Sequence, residues 1–326
     1  MNINLFKTTI AASALLAASS SIAFAEQEWD MALAYSATNY HSENAANFAE
    51  MVSSNTNGEI TITTHPSGSL YNGNEIFRAV RTNQIAIGER FMSALGNENA
   101  VLEVDAIPFL ATSFDDAQRL YEASKPSLNV ALEEMGVKLL YAVPWPPQGL
   151  YSSDPINLPT DLEGTKFRAT NQMTTRLAEL MGAQPTKIEA AEMSNAFATG
   201  VVNSMMTSAA TGADRKMWEY IPVFTDVQAA IPKNMVVVNL SVWNDLSEEL
   251  QSAVLDAAAQ AELDGWARTA EIADSAKATL AENGMTVASP SDELSSGLGA
   301  MGEQLTAEWL ERAGSAGAAI IEAYKN

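Results

Sequence analysis

The chain has no cysteine in 326 residues, which excludes a lipoprotein anchor, a disulfide framework, a thiolate nucleophile and a cysteine–zinc site together. Histidine is almost as scarce. His41 and His65 are the only two, each beside loop-forming residues, and each reads as a solvated side chain rather than a ligand or base. Positive charge is thin: 18 Lys+Arg stand against 40 Asp+Glu, for a formal charge of −22. Nucleic acid is not expected as a partner, because phosphate-backbone binding depends on basic residues that release counterions. Beyond residue 25 no run approaches the roughly 18 to 20 apolar residues that a transmembrane helix needs.

Catalytic signatures are missing as well. There is no Gly-x-Ser-x-Gly elbow, no Gly-Lys-Ser/Thr phosphate loop and no His-Glu-x-x-His zinc helix. Gly297-Leu-Gly-Ala-Met-Gly302 matches Gly-x-Gly-x-x-Gly, but too little chain follows it for a βαβ unit, so the match reads as chance. Forty acids guarantee some carboxylate pairs in any fold, which leaves an exported carboxylate-dependent hydrolase as an alternative, although no spacing singles out one pair. No cofactor and no metal are expected.

What is present begins with a leader. Met1 to Lys7 is a short basic n-region, Thr8 to Ile22 is mostly apolar, and Ala23-Phe24-Ala25 is a small-x-small cleavage site. Residues 1–25 are therefore expected to be a signal peptide, and the mature chain to be an unanchored protein of a Gram-negative periplasm. About 300 residues suffice for two lobes of ordinary domain size, each with its own core. Strand-like segments at Trp29–Tyr35, Glu59–Thr64, Ile85–Gly88, Val137–Val143 and Lys166–Ala169 alternate with helical ones. These are a helix capped by Ser42, a second over Asn74–Thr82, and helical pieces over Ser113–Glu134 broken at Lys125-Pro126. The alternation predicts an α/β protein. Ser247 caps a proline-free stretch from Glu248 to Glu282, stopped by Asn283-Gly284 and about 50 Å long if unbroken, with two helices meeting at Gly265 as the alternative.

An anionic ligand would meet the repulsive field of so acidic a chain, so its site must supply a local cation. Arg168 closes Asp161-Leu-Glu-Gly-Thr-Lys-Phe-Arg168 and is followed by Met181-Gly-Ala-Gln-Pro185, Glu192 and Gly200-Val-Val-Asn203. A guanidinium there presents two parallel donors that fit a carboxylate. The order of these pieces, with the leader, the first strand and the long helix, resembles the solute-binding proteins of TRAP (tripartite ATP-independent periplasmic) transporters, the DctP family. The resemblance implies a two-lobed periplasmic binding protein fold, with a long helix spanning both lobes. It also implies a monomer that is not an enzyme, a small organic acid held by Arg168, and delivery to TRAP membrane permease subunits. A binding protein for an ABC permease is the alternative within transport. Lobe one would comprise residues 26–147 and about 235–268, and lobe two residues 148–234 and about 269–326.

Further site candidates follow. Asn171 lies where the family has a polar residue near the ligand, and its amide can equally cap a helix. Gln148 stands where a second ligand arginine is expected from the best-known branch of the family. The pattern Gly200-Val-Val-Asn-Ser-Met-Met-Thr207 puts Thr207, with Ser208 beside it, where that branch has an asparagine. Trp145, set among Pro144, Pro146 and Pro147 after a strand, can wall a pocket or pack a hinge. Asn39 lies in the loop after the first strand. Arg90 reads either as a second ligand cation or as a structural ion pair. Arg176 reads as a solvated partner of Glu179, and Met173, Met181, Met193, Met205 and Met206 as gap-fillers of the core. With one cation and an apolar wall, the site is expected to prefer a monoacid to a dicarboxylate.

Overall fold

The computed structural model describes residues 26–326; the expected leader, residues 1–25, lies outside them. Four strands come first: β1 (Gln27–Ala32), β2 (Ile60–His65), β3 (Ile87–Phe91) and β4 (Val137–Pro144). After them come β5 (Gln148–Ser152), β6 (Lys166–Ala169), β7 (Gln184–Lys187), β8 (Ser204–Ser208) and β9 (Val223–Thr225). The last two are β10 (Lys233–Asn239) and β11 (Thr286–Ala288). They form two sheets, ordered β2-β1-β3-β10-β4 and β11-β9-β5-β8-β6-β7. Within the first sheet β1 runs parallel to β2 and β3, while β10 is antiparallel to both of its neighbours. In the second, β6 runs parallel to β7 and β8. The helices are α1 (Tyr40–Asn55), α2 (Gly73–Arg81), α3 (Phe114–Glu134), α4 (Gln172–Leu180), α5 (Met193–Ala198), α6 (Ala209–Asp214), α7 (Leu240–Asn244), α8 (Glu248–Glu282) and α9 (Asp292–Lys325).

Two strand-like segments cross between the sheets. β4 ends at Pro144 and β5 begins at Gln148, so Trp145-Pro146-Pro147 is the outward crossing; residues 226–232 return from β9 to β10. The two crossings pair with each other: Trp145 N–H donates to Pro232 O (2.7 Å), Gln148 N–H to Ala230 O (2.9 Å) and Ala229 N–H to Gln148 O (2.8 Å). α8 is the third connection. Ser247 caps it by accepting from Leu250 N–H, and it runs unbroken to Glu282, so the two-helix alternative falls. Its first half buries Leu250, Val254, Ala257 and Ala261 in one core, while Ala276 and Leu280 belong to another. The helix thus spans both sheets' territories. α9, broken at Gly314 where φ is 58°, also bridges: Trp309 Nε1–H donates to Ala100 O (2.7 Å), and Arg312 donates to Gln172 Oε1 (3.0 Å).

Two local expectations need correction. α1 begins at Tyr40, not at Ser42, because Asn39 Oδ1 accepts from His41 N–H (3.0 Å) and takes the capping position. α3 continues through Pro126, with Ser113 as its cap. It buries Leu120, Tyr121 and Ser124 before the proline and Leu128, Ala131 and Leu132 after it, which outweighs the ~3 kcal/mol that an interior proline costs.

Gly265, the weak point of α8 by propensity, sits where the helix crosses β4. A Cβ there would meet the Val143 methyls at 2.5 and 2.8 Å, and Val143 is buried and branched, with no flexible end to yield. Gly265→Ala should therefore lower stability by about 1–2 kcal/mol in urea denaturation, because overpacking exceeds the helix-propensity gain of about 1 kcal/mol. A gain of about 1 kcal/mol would show that α8 does not press on β4.

Candidate functional site

A cleft opens beside the crossings, where the carboxyl ends of β1, β3, β6 and β7 face one another. Crevices of open α/β sheets form at such ends, since the loops that follow each strand gather there. From the first sheet it is lined by Tyr35, Arg90, Phe91 and Ala94, and from the crossing by Trp145 and Gln148. The second sheet contributes Arg168, Thr170, Ile188, Glu189, Thr207 and Thr211. The space between them, counting the solvent at its open mouth, is about 480 Å³.

Arg168 is 3% exposed and rigidly held: its Nε–H donates to Ile188 O at 3.0 Å. Its Nη1 is buried without a hydrogen-bond partner among the described residues. Burial pushes the guanidinium down to about 10, with nearby Tyr35 and Glu189 acting the other way, so it stays charged at neutral pH. An unpaired donor on a buried cation carries a desolvation cost that an incoming anion removes. Arg90 is differently placed. Its Nη1 and Nη2 donate to Glu189 Oε2 and Oε1 at 3.2 and 3.1 Å, a two-pronged ion pair between the sheets. Arg90 is thus the structural ion pair rather than a free second cation.

Trp145 lines the cleft as a wall. Its indole N–H donates to Asn234 Oδ1 (2.9 Å), and its ring meets those of Tyr35 and His41 at centroid distances of 4.9 and 4.2 Å. Gln148 reaches the cleft with its amide nitrogen donating to Pro146 O (2.9 Å), and Thr207 on the adjacent strand β8, where it pairs with Gly149, lines it too. Three candidates do not line the cleft. Asn171 caps α4 by accepting from Thr174 N–H (2.8 Å) and donates to Ser93 Oγ (2.8 Å). Asn39 caps α1 and donates to Asp214 Oδ2 at 2.6 Å. Ser208 caps α6 through Thr211 N–H (3.1 Å). Each short polar side chain is used up on a helix start and, for the two asparagines, on a contact between the sheets.

Sequence reasoning missed Tyr35, Thr170, Glu189 and Thr211 among the lining residues. Thr170 had a signal, since strand alternation puts it on the same side as Arg168; Glu189 had none. Arg176 pairs with Glu179 as expected and also with Glu308, and the five methionines are buried. His41 is a correction. It is fully buried, packed against Tyr40 and Trp145, and burial holds its pKa well below the ordinary value. Among the described residues no group of His, Asp and Glu is placed to hold a metal ion.

The fold and cleft are those of a bacterial solute-binding protein. Residues 31–312 match the family described as bacterial extracellular solute-binding protein, family 7 (DctP), and the chain belongs to it. An extracytoplasmic solute receptor of Bordetella pertussis, solved binding pyroglutamic acid, is 43% identical, with a TM-score of 0.90 over 92% of this chain and 99% of that one. A marine-metagenome TRAP solute-binding protein, solved with co-purified pyroglutamate, is 42% identical, with a TM-score of 0.91 over 93% of this chain and 99% of that one. The sialic acid-binding periplasmic protein of Vibrio cholerae is 24% identical over 74% of this chain and 76% of its own. The chain is therefore a TRAP-transporter solute-binding protein, in a family of binding proteins and not of enzymes. The hydrolase and ABC-type alternatives fall with that assignment. No helix among the described residues is long and apolar enough to cross a membrane.

Behind Trp145 lies a buried polar chain. Asn234 accepts from Trp145 and donates through Nδ2 to Glu89 Oε1 (2.9 Å), and Glu89 Oε2 lies 3.8 Å from His41 Nδ1. Burial pushes Glu89 up to about 8, with the Asn234 hydrogen bond acting the other way. With His41 uncharged, the 3.8 Å approach at neutral pH is a contact of two neutral groups, not an ion pair. Between its ordinary 4.5 and about 8 the folded protein holds a proton that the unfolded chain has lost. The stability contribution of Glu89 is complete below the lower value and is lost as pH rises through the upper one. Glu89→Gln keeps an oxygen for Asn234 and cannot ionise. Its Tm relative to wild type should climb from about pH 5 to about pH 8 and then level off, whereas a pH-independent offset would mean that Glu89 is already charged.

Proposed function

We propose that this protein captures a compact organic acid with one carboxylate, of which pyroglutamate is the type, in the periplasm. It then delivers the acid to the membrane subunits of a TRAP permease. The observation that carries this reading is the buried Arg168 guanidinium, anchored through Nε and open at Nη1. A carboxylate fits that opening, and the charge-assisted hydrogen bond is strong where water is excluded. Trp145, Phe91 and Ile188 offer flat or apolar surface to a small ring, while Thr170, Thr207 and Gln148 offer hydroxyls and an amide to its polar atoms. The two pyroglutamate-binding proteins above, each more than 40% identical over nearly the whole chain, support the same ligand class.

In this reading the lobes divide as residues 26–147 with 235–268 and residues 148–234 with 269–326. The paired crossings at Trp145–Gln148 and 229–232 act as the hinge, because a few residues there absorb the dihedral changes of closure. The mature protein, freed of residues 1–25, works as a monomer.

Arg168→Ala should keep the fold and lose nearly all binding of pyroglutamate by calorimetry. Removing one partner of a desolvated, hydrogen-bonded charge pair costs about 2–5 kcal/mol, a factor of roughly 30 to several thousand in Kd. Binding weakened by less than about threefold would remove Arg168 from the site.

A further inference from the structure

The ionisable side chains lining the cleft are Arg90, Arg168, Glu189 and Tyr35. Burial raises Tyr35, the largest effect on it, and keeps it neutral. Two cations and one anion remain, and their pairing is unequal. Among the described residues, Glu189 places one oxygen on each terminal nitrogen of Arg90, whose Nε alone has no partner, while Arg168 gives Nε to a main-chain carbonyl, leaves Nη1 open and has no carboxylate on it. The cleft therefore holds two charges that cancel and one that does not. Arg90 is 5% exposed, and the pair is enclosed from the side of α2: a Cβ on Gly73 would stand 3.3 Å from both Arg90 Nη1 and Glu189 Oε2. Glu189 keeps 31% of its side chain exposed, but both arginines are nearly buried, so charge balance in the cleft matters more than it does in open water.

We infer that Glu189 is a specificity-determining residue that sets the net charge the cleft accepts, by occupying Arg90 and leaving Arg168 as the one open anion site. This rests on the monoacid reading above and names the side chain that enforces it. A second carboxylate entering the cleft must displace Glu189 from Arg90 or lie against the Glu189 carboxylate unpaired, and discrimination comes as much from that repulsion as from the attraction at Arg168. The same ion pair joins the two sheets, so a purely mechanical role in holding the cleft shut is the competing explanation.

Ligand selectivity separates the two. Calorimetry with pyroglutamate and with glutarate, a dicarboxylate of the same chain length, should show wild type taking pyroglutamate and rejecting glutarate. Glu189→Gln should shift the glutarate-to-pyroglutamate affinity ratio by about tenfold or more toward glutarate, because Arg90 becomes a second open cation. Arg90→Gln alone leaves Glu189 unpaired in a cleft of zero net charge and should weaken pyroglutamate by at least about tenfold. The double variant Arg90→Gln/Glu189→Gln restores the single positive charge and should regain most of that loss, although the link between the sheets is gone. A mechanical link predicts the opposite: an unchanged ratio in Glu189→Gln and a double variant no better than Arg90→Gln. Either result overturns the inference; if a single variant fails to fold, the double variant is set against wild type, near-wild-type pyroglutamate affinity supporting the charge role and a loss of about tenfold or more overturning it. Wild type binding neither acid would sink the monoacid reading and this inference with it, whereas pyroglutamate binding with unchanged ratios sinks the Glu189 role alone.

Discussion

A cation held out of water with one donor unpaired is the constraint around which this structure is arranged. A guanidinium at 3% exposure is costly unless its hydrogen bonds are made, and Arg168 makes one of them to its own protein, at Ile188 O. The fold contributes the rest of the arrangement. β6 ends at Ala169, and β7, beside it in register, delivers Ile188 and Glu189 past its own end. The parallel pairing that places Arg168 also places the carbonyl that orients it. The acidic surface makes this one open positive group more distinctive, because the remainder of the molecule repels the anions it would collect.

Bringing groups from two sheets to one cleft requires a connection that is both short and definite. The Trp145–Gln148 crossing supplies it, with prolines fixing the path and Trp145 turned to form one wall. The returning segment pairs with it, and α8 runs alongside, close enough at Gly265 that a side chain would strike β4. Asn39–Asp214, Asn171–Ser93 and Arg90–Glu189 tie the two halves together around the cleft. These polar side-chain contacts can part when a hinge opens, while an apolar cluster that includes Ala142 and Met235 of the first sheet and Leu150 and Phe167 of the second joins the two halves.

Much of this was legible in the sequence, for identifiable reasons. The limits of α8 follow from a serine cap, a long stretch without proline and an Asn-Gly stop, all local signals. Arg168 was legible because it is a rare cation in a recognisable string, and Trp145 because prolines on both sides fixed its place after a strand. The differences have separate causes. Asn39, Asn171 and Ser208 lie near the cleft but cap helices, since an asparagine or serine near a strand's end serves a helix cap as readily as a ligand. Glu189 and buried His41 depend on partners far along the chain, Arg90 and Trp145, and no local pattern shows such a pairing. Pro126 misled because a propensity argument does not see the packing on both sides of it.

The most direct test of the account is a crystal structure of the protein with pyroglutamate bound. The account predicts a carboxylate oxygen within hydrogen-bond distance of Arg168 Nη1, the Arg168 Nε–Ile188 O bond retained, and Arg90 still forked onto Glu189. A carboxylate seated on Arg90 with Glu189 displaced, or a ligand that leaves Arg168 Nη1 unpaired, would contradict it.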